Sequence, residues 1–539
     1  MKFGQKGLCL LAGVLLLGGV TTAVAGQTTA ERKVLRFGVH VSDMGKLDPH
    51  FAAGSQDRAC ADMVFNGLLR YQPGNAPKIE PDLAADIHEF EMVGGKQVWT
   101  VKLRKGVMFH AGPDTPAYEL TADDVVYSLH KSANRDTCAY AGEYAGMQVE
   151  KTGPSTIQII LAKPLSPILF LPKITDYAGG FIVSKRAIES MGYDKFKQHP
   201  VGTGPFQFKT HIPGEKLVLA ANDQYFRGRP NLAGIEIHFL PDIVDREAAM
   251  LAGNLDVAIG YGDKGWVEKA SQFEGMVYET HGVGEVINVY LNTDFSPLND
   301  VRVRRAIAYA MNKEGFLNKT ARIYVGAVYS PVPIQYLPGG ISKQDAEKLG
   351  LAYATDLKKA RQLLAEAGYP DGFTLELVSS EKRLYRRTYE TIRDQLAQIG
   401  ITCNITIKKH GAMHKAIRQE SLPIVAYVAW RPNADAYLTR FFHSDSIVIT
   451  GVKPDTNFSR YQSIDKLIEA ARLEINPEKQ VNLWVQAQIR LLADMAAYPV
   501  MFAKQGYLRT TNVQYGHPLV STMALYPQFT EKTWIDPKN

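Results

Sequence analysis

The fold class is most visible in the segment Trp99-Thr100-Val101-Lys102-Leu103-Arg104-Lys105-Gly106-Val107-Met108-Phe109-His110. Its apolar Trp99, Val101 and Leu103 alternate with polar residues, and this period of two predicts a half-buried strand. Further on, Thr121 precedes Ala122-Asp123-Asp124, which predicts the start of a helix with an acidic first turn. This part of the chain therefore contains both kinds of element, a strand and then a helix.

The rest of the chain continues to mix strands with helices. Strand patterns fall at Val34 to Val39 and at Ile401 to Ile407. Helical patterns fall at three later places, which are a helix that begins at Asp356 and stops at Gly368, a run from Tyr385 to Ile399 that Gly400 ends, and a run from Val481 to Leu492. With 539 residues the chain exceeds what a single hydrophobic core holds, so we expect more than one domain.

The first 25 residues have the pattern of a signal peptide. Lys2 and Lys6 precede an apolar run from Leu8 to Val20, and Ala23-Val24-Ala25 offers an A-x-A cleavage site. We expect cleavage near Ala25 and a periplasmic mature protein. Cys9 lies at the start of the apolar run, so we see no lipobox. The alternative of a membrane anchor is disfavoured, because the apolar run is shorter than a transmembrane helix.

Charge and motifs exclude several classes of function. The net charge is only +6, and no run of Lys and Arg stands out, so nucleic acid is not expected as a partner. A phosphate-binding loop, a zinc-protease motif, a C-x-x-C pair and a G-x-S-x-G elbow are all missing from the sequence. Gly202-Thr203-Gly204 precedes a proline and is interpreted as a turn. We therefore do not expect an enzyme, and we expect no cofactor.

Three cysteines follow the signal segment, at Cys60, Cys138 and Cys403. Because the expected compartment is oxidising, one disulfide is a hypothesis, with Cys60–Cys138 as the candidate pair and three free thiols as the alternative.

A set of short motifs follows in order from Asp48 to beyond Trp430. Its members are Leu47-Asp48-Pro49-His50, Phe65 to Tyr71, Pro81-Asp82-Leu83-Ala84, Trp99 to His110, Thr121 to Val125, Val201-Gly202-Thr203-Gly204-Pro205-Phe206, Asn222 with Tyr225, Gly228 and Pro230, Leu291-Asn292-Thr293 with Val301 to Ala306, and Ala365 to Tyr369. Taken together, this ordered set resembles the family 5 extracellular solute-binding proteins of peptide and nickel importers.

The resemblance implies an α/β protein with two lobes, a ligand cleft between them and an extra subdomain. Lobe I would be discontinuous and comprise 26–70, 200–282 and 495–539. The extra subdomain would span 71–199, and lobe II would span 283–494. Such a receptor, expected to be monomeric, captures a peptide-like solute and delivers it to the permease subunits of an ABC importer in the inner membrane.

The late segment Trp430-Arg431-Pro432-Asn433-Ala434-Asp435 resembles the binding loop of this family. The resemblance implies that Trp430 forms a cleft wall, with a packed core position as the alternative. Arg431 is a candidate ligand for a carboxylate, because its planar fork donates two hydrogen bonds, with a surface arginine folded over the loop as the alternative. Peptide binders hold the ligand's amine with an aspartate where this chain has Asn433. Asp435 is a candidate substitute, or else the cap of the following helix.

Two further segments are candidates for the cleft. By resemblance, Arg383 in Ser379 to Tyr385 would present its guanidinium to a ligand carboxylate, with Arg386 and Arg387 as competitors and a solvated helix face as the alternative. Ser55, in the early Ala53 to Asp57 loop, is a candidate ligand contact or part of a plain turn.

The departure at Asn433 keeps other ligand classes open. They are a non-peptide organic acid, an opine-like conjugate, and a nickel or metal-chelate ligand. The last is motivated by His410, His414 and His443, of which the first two are one helical turn apart, although two histidines on a surface helix are the simpler interpretation. No metal ligand is assigned on this pattern. A periplasmic hydrolase has no motif in its favour.

Overall fold

The structure is a computed structural model that describes residues 32–52, 54–86, 89–318, 320–523 and 526–536. The predicted signal peptide and its cleavage site lie outside the described residues. Within the described part, none of the helices has both the length and the apolar character that crossing a membrane requires.

Strands and helices alternate along the whole described chain. The strands are β1 (Val34–Val39), β2 (Asn66–Gly67), β3 (Leu69–Tyr71), β4 (Ile79–Pro81), β5 (Glu91–Val93), β6 (Lys96–Lys102), β7 (Met108–Phe109), β8 (Tyr118–Glu119), β9 (Met147–Gly153), β10 (Thr156–Leu161), β11 (Phe181–Ile182), β12 (Phe206–Ile212), β13 (Lys216–Ala221), β14 (Gly234–Phe239), β15 (Val257–Ile259), β16 (Met276–Leu291), β17 (Val325–Ala327), β18 (Thr374–Ser380), β19 (Thr402–Lys408), β20 (Ile424–Ala429), β21 (Ala497–Thr510), β22 (Val513–Gln514) and β23 (Trp534–Ile535).

The α-helices are α1 (Ser55–Val64), α2 (Ala122–Ala133), α3 (Ala141–Tyr144), α4 (Pro167–Phe170), α5 (Lys185–Met191), α6 (Tyr193–Phe196), α7 (Ile243–Leu251), α8 (Lys264–Ala270), α9 (Val301–Ala310), α10 (Lys313–Leu317), α11 (Lys343–Lys348), α12 (Leu357–Glu366), α13 (Arg383–Leu396), α14 (His410–Gln419), α15 (Ala434–Phe442), α16 (Asp465–Leu473) and α17 (Pro477–Ala493). Short 3-10 turns lie at Pro49–Phe51, Leu171–Ile174, Ala178–Gly180, Ala397–Ile399 and Ser444–Ser446.

The helix starts have the caps that their sequences predict. The Asp124 side chain accepts from the backbone N–H of Thr121 at 3.0 Å, which closes the capping box of α2. The Asp356 side chain caps α12 by accepting from the N–H of Lys359 at 2.9 Å. Gly400 ends the α13 region with φ +85°, a left-handed conformation that glycine adopts without strain. These predictions are confirmed.

The largest sheet in the described chain is mixed and has nine strands. Its order is β12-β13-β14-β1-β15-β21-β16-β20, and β17 pairs with β21. A four-stranded sheet, β5-β6-β10-β9, contains the strand that Trp99 predicted, and Trp99 itself is buried. The parallel pair β18–β19 lies against α13.

The buried apolar side chains form two large cores. The first gathers residues between Leu35 and Val257 together with Tyr507 to Ile535, and we call its elements lobe I. A smaller cluster around α7 and α8 adjoins β15, and we count it with lobe I. The second large core gathers residues between Val286 and Ala503 together with Leu169, and we call its elements from Val286 to Ala503 lobe II. Many side chains from 71–199, the predicted extra subdomain, share the first core with lobe I. The exact lobe boundaries stay predictions.

The two long strands β16 and β21 join the lobes, and their ladder is interrupted midway. His281 pairs with Gln505 and Glu285 pairs with Ala503, so that residues 282–284 lie opposite a single residue. A side chain at Gly284 would place its Cβ 1.7 Å from the carbonyl oxygen of Ala503, so this position requires glycine. The bulge provides a local bend between the lobes.

The Gly202-Thr203-Gly204 segment is a turn that packs against the end of α1. A Cβ at Gly202 would lie 2.0 Å from the carbonyl oxygen of Val64, and the Gly204 N–H donates to that same oxygen at 2.9 Å. The Thr203 hydroxyl donates to the Asn66 side chain at 2.9 Å. The glycines therefore allow close backbone contact, and the prediction of a turn is confirmed.

The three cysteines of the described chain, Cys60, Cys138 and Cys403, are free and buried. The hypothesised Cys60–Cys138 disulfide is therefore not formed in this structure. Burial raises the pKa of the Cys60 thiol to about 12, and the charge of Asp57 adds to the shift. Burial and a neighbouring negative charge thus keep this thiol protonated.

Candidate functional site

The late loop lies where lobe II meets lobe I. It follows β20, and its Trp430 packs against a small apolar cluster from lobe I that includes Tyr71, Ala76 and Met523. The Trp430 ring lies edge-on to Tyr177, with 5.8 Å between the ring centroids. Trp430 is therefore in the contact between the lobes and not in the interior of either one. We call Trp430, Tyr177 and Arg58 the tryptophan contact.

Arg58 completes the tryptophan contact from α1 of lobe I. Its guanidinium carbon is 5.1 Å from the centroid of Tyr177 and 5.8 Å from that of Trp430. These separations fit cation–π stacking, in which an aromatic face attracts a cation. Its Nε atom is buried and has no hydrogen-bond partner in the described part of the chain. Sequence reasoning missed Arg58, because nothing near it in the sequence predicts that it approaches residue 430.

Arg431 points toward aromatic side chains of lobe II. Its guanidinium carbon lies 4.8 Å from the centroid of Phe441, and its Nη1 donates to the carbonyl oxygen of Trp430 at 2.8 Å. Burial lowers the pKa of Arg431, and the nearby charge of Arg440 lowers it further. The geometry thus lets Arg431 support the loop behind Trp430.

Asn433 and Asp435 both have partners within lobe II. The Asn433 side chain caps α15 by accepting from the N–H of Ala436 at 2.8 Å, so the helix cap is Asn433 and not Asp435. Asp435 pairs with Arg472, whose Nε lies 3.2 Å from Oδ1. Burial raises the pKa of Asp435, whereas Arg472, and more weakly Lys173 of lobe I, act in the opposite direction.

Ser55 and Arg383 are on opposite lobes. Ser55 is the first residue of α1 and is half-buried, three residues before Arg58. Arg383 begins α13, and its Nη2 lies 2.9 Å from Oδ2 of Asp263, which precedes α8. Arg387 approaches the same oxygen at 3.5 Å, while Arg386 pairs with Glu390 on its own helix. We call Asp263, Arg383 and Arg387 the aspartate contact.

A cavity of about 150 Å³ adjoins the aspartate contact. Side chains from both lobes line it, and they include Tyr261, Phe316, Tyr324, Leu384, Thr391 and Met501. The backbone of Asp263 also forms an isolated bridge with Thr320. The cavity is thus largely apolar, with the three charges of the aspartate contact at one side.

Glu285 on β16 is an acidic residue beside the late loop. Val286 pairs with Ala429 in the β16–β20 ladder, so Glu285 and Trp430 are the next residues beyond that pair on each strand. Glu285 is exposed to solvent, yet the surrounding protein raises the pKa of its carboxyl by desolvation. Surrounding protein atoms therefore desolvate this carboxyl in part while solvent still reaches it. Sequence reasoning also missed Glu285.

Three tyrosines lie near Glu285. Burial raises the pKa values of Tyr324, Tyr385 and Tyr437, and the charge of Glu285 adds to each shift. The value for Tyr324 rises to about 12. Tyr324 lines the cavity beside the aspartate contact, so the charge of Glu285 acts on a side chain of that cavity, and its strand position adjoins Trp430.

The three histidines do not form a metal centre. Arg418 donates to Nδ1 of His414 at 3.1 Å, so His414 carries its proton on Nε2 and donates it to Nε2 of His410 at 3.1 Å. His410 then donates to Ser380 at 3.0 Å. His443 bonds separately within its own turn. No group of three or more metal-ligating side chains occurs among the described residues.

The fold and this cleft define a two-lobe binding protein of mixed α/β class. The family model for bacterial extracellular solute-binding proteins, family 5 (middle), matches residues 78–447. The match covers well over half of the chain, and the chain belongs to this family. It is a solute-binding protein of the kind that serves ABC importers.

Known proteins resemble the chain over most of its length. Heme-binding protein A of Haemophilus influenzae is 27% identical over 465 residues, which cover 81% of each chain. The dipeptide-binding protein of Escherichia coli K12 is 26% identical over 509 residues, covering 89% of this chain and 91% of the relative. The solved structure of MoaA from A. tumefaciens R10, in complex with mannopinic acid, is 34% identical with a TM-score of 0.75, covering 94% of this chain and 100% of MoaA. These relatives are binding proteins and not enzymes.

Proposed function

We propose that this protein captures a peptide-like small solute in the periplasm and delivers it to the permease subunits of an ABC importer. The single observation that carries the proposal is the tryptophan contact, where Trp430 of lobe II meets Tyr177 and Arg58 of lobe I. A solute held there touches both lobes, and binding energy from both surfaces favours the closed arrangement. The chain acts as a monomer, without catalysis, after cleavage of its signal peptide near Ala25.

Among the residues that the sequence predicted, we propose Trp430 and Ser55 as direct contacts of the solute. Trp430 offers a large, rigid apolar surface at low entropic cost. Arg431, Asn433 and Asp435 support the loop, because each has a partner within lobe II. Arg383 acts through its ion pair with Asp263.

An opine-like solute is the second candidate. Two observations favour it. The position where peptide binders hold the amine is Asn433, and its side chain is engaged as a helix cap. MoaA, whose structure contains mannopinic acid, is 34% identical to this chain.

The test is to identify the solute carried by the native protein. Protein purified from the periplasm without denaturation is analysed by mass spectrometry for released small molecules, and protein stripped in urea and refolded is the control. Calorimetry with the identified compound then measures affinity, and an uptake assay in a strain lacking this chain tests delivery. If the stripped protein binds nothing that the native protein released, and uptake is unchanged, the receptor function is wrong.

A further inference from the structure

Arg58 has no carboxylate partner in the described part of the chain. The aspartate one turn later, Asp62, accepts from the Tyr526 hydroxyl at 2.7 Å and from the Gln528 amide at 3.2 Å. Asp57 accepts from backbone N–H groups in the preceding loop. The groups that face the Arg58 guanidinium are aromatic rings and the Tyr140 hydroxyl. Burial disfavours the Arg58 cation, and the neighbouring Tyr177 and Tyr140 offset this effect enough to raise its pKa. Neither tyrosine supplies a full counter-charge, which a bound anion would add.

Glu285 is a carboxylate without a cationic partner among the described residues. It has no ion pair or hydrogen bond among the described residues, and no nearby cation counteracts the desolvation of its carboxyl. Its charge raises the pKa values of three tyrosines, Tyr324, Tyr385 and Tyr437. Its place on β16 is fixed by the Gly284 bulge on one side and by the Val286–Ala429 pair on the other. A carboxylate carried on a backbone fixed in this way is suited to a cationic group of a ligand.

Both charges adjoin Trp430. Arg58 stacks over its ring from lobe I, and Glu285 is the neighbouring position on the strand beside it. They do not pair with each other, although a direct Arg–Glu pair would satisfy both. Each charge therefore remains available to a different end of a molecule that lies against Trp430.

We propose that the solute is a small zwitterion whose carboxylate binds Arg58 and whose protonated amine binds Glu285, with Trp430 packed against the part that joins the two ends. This inference rests on the proposed receptor function and names its ligand class and its charge-recognising residues. An uncharged solute would leave both side chains unpaired. A purely anionic solute would pair with Arg58 and be repelled by Glu285.

The test measures how much each charged end of a probe molecule contributes to its affinity for each variant. The probes are mannopinic acid and alanyl-alanine, each compared with a derivative acetylated on the amine and with one amidated on its carboxylates. Calorimetry uses the full mature chain and its Arg58→Gln, Arg58→Lys and Glu285→Gln variants. Matched controls are Arg186→Gln, an exposed arginine stacked 4.2 Å from the Tyr118 ring, and Glu376→Gln, an exposed strand glutamate bound to Asn404.

We expect the unmodified chain to bind at least one zwitterion and to lose at least about tenfold in affinity when either end is blocked. For Glu285→Gln, acetylating the amine of the probe lowers its affinity by less than about threefold, whereas amidating its carboxylates still lowers its affinity at least about tenfold. In Arg58→Gln the pattern reverses, and Arg58→Lys is intermediate because the charge remains without the planar fork. The control variants behave like the unmodified chain.

Three results would overturn the inference: discrimination against the acetylated probe that survives in Glu285→Gln, equal binding of blocked and free probes, or no binding of either zwitterion. Circular dichroism and thermal melting establish that each variant is folded, and Arg58→Lys carries the test if Arg58→Gln does not fold. A failure of the receptor function is distinguishable, because it shows in solute release and uptake. A released solute without an amine would refute the zwitterion and leave the receptor intact.

Discussion

The tryptophan contact and the aspartate contact both join the lobes, but the aspartate contact pairs its opposite charges and the tryptophan contact does not. At the aspartate contact, Asp263 is matched by Arg383 at 2.9 Å and by Arg387 at 3.5 Å. At the tryptophan contact, Arg58 meets aromatic side chains that carry no counter-charge. A satisfied ion pair needs no ligand, whereas an unmatched charge beside an aromatic surface gains most from one. The difference separates a surface that holds the lobes from one that recognises a solute.

Replacing the ring at the tryptophan contact is expected to have the largest effect. Trp430→Ala should weaken solute binding by about 2 kcal/mol or more, roughly thirtyfold, because a central aromatic anchor is lost. Calorimetry with the solute released from native protein measures this. The control Trp534→Ala removes an exposed tryptophan of lobe I and should leave affinity unchanged. Similar affinities for the two variants would remove Trp430 from the site.

Breaking the aspartate contact is expected to have a smaller effect. Asp263→Asn removes the counter-charge of two arginines and should weaken binding by about 1 kcal/mol, through the closed arrangement and not through contact with the solute. This loss should shrink as NaCl is raised, because salt already screens the pair in the unmodified chain. A loss that is the same at low and high salt would contradict the ion-pair origin.

The raised pKa of Glu285 predicts a pH-dependent stability effect. A carboxyl whose pKa rises on folding keeps its proton longer in the folded state, so its ionised form destabilises the fold above the ordinary value of 4.5. Glu285→Gln should therefore be more stable than the unmodified chain at pH 7, by less than about 1 kcal/mol, since the group keeps some solvent contact. Urea unfolding of solute-free protein measures the difference. It should vanish below pH 4.5, and a constant difference would point to packing instead.

The smallest effect is expected for a single arginine of the aspartate contact. Arg383→Gln should change affinity by no more than about 0.5 kcal/mol, because its side chain is 47% exposed and Arg387 still faces Asp263. If Arg383→Gln matches the loss expected for Trp430→Ala, then Arg383 binds the solute directly, as the resemblance implied, and the contrast between the two contacts fails.

Much of the local structure could be predicted from the sequence. The strand at Trp99, the helix capped by Asp356, and the helix that Gly400 ends each depend on side chains within a few residues, so their patterns are visible along the chain. The late loop illustrates the limit. Both Asn433 and Asp435 are good capping residues, and only the backbone geometry assigns the cap to Asn433.

Patterns along the chain were enough to predict a mixture of strands and helices and to predict the signal segment, and the ordered motifs indicated the family and, with it, the α/β class. Which charges are matched depends on the tertiary fold. Asp263 meets Arg383, whereas Arg58 and Glu285 have no oppositely charged partner in the described chain. The cause is distance along the chain. Arg58 and Trp430 come together only when lobes built from distant segments fold and meet, and no local pattern predicts such a contact.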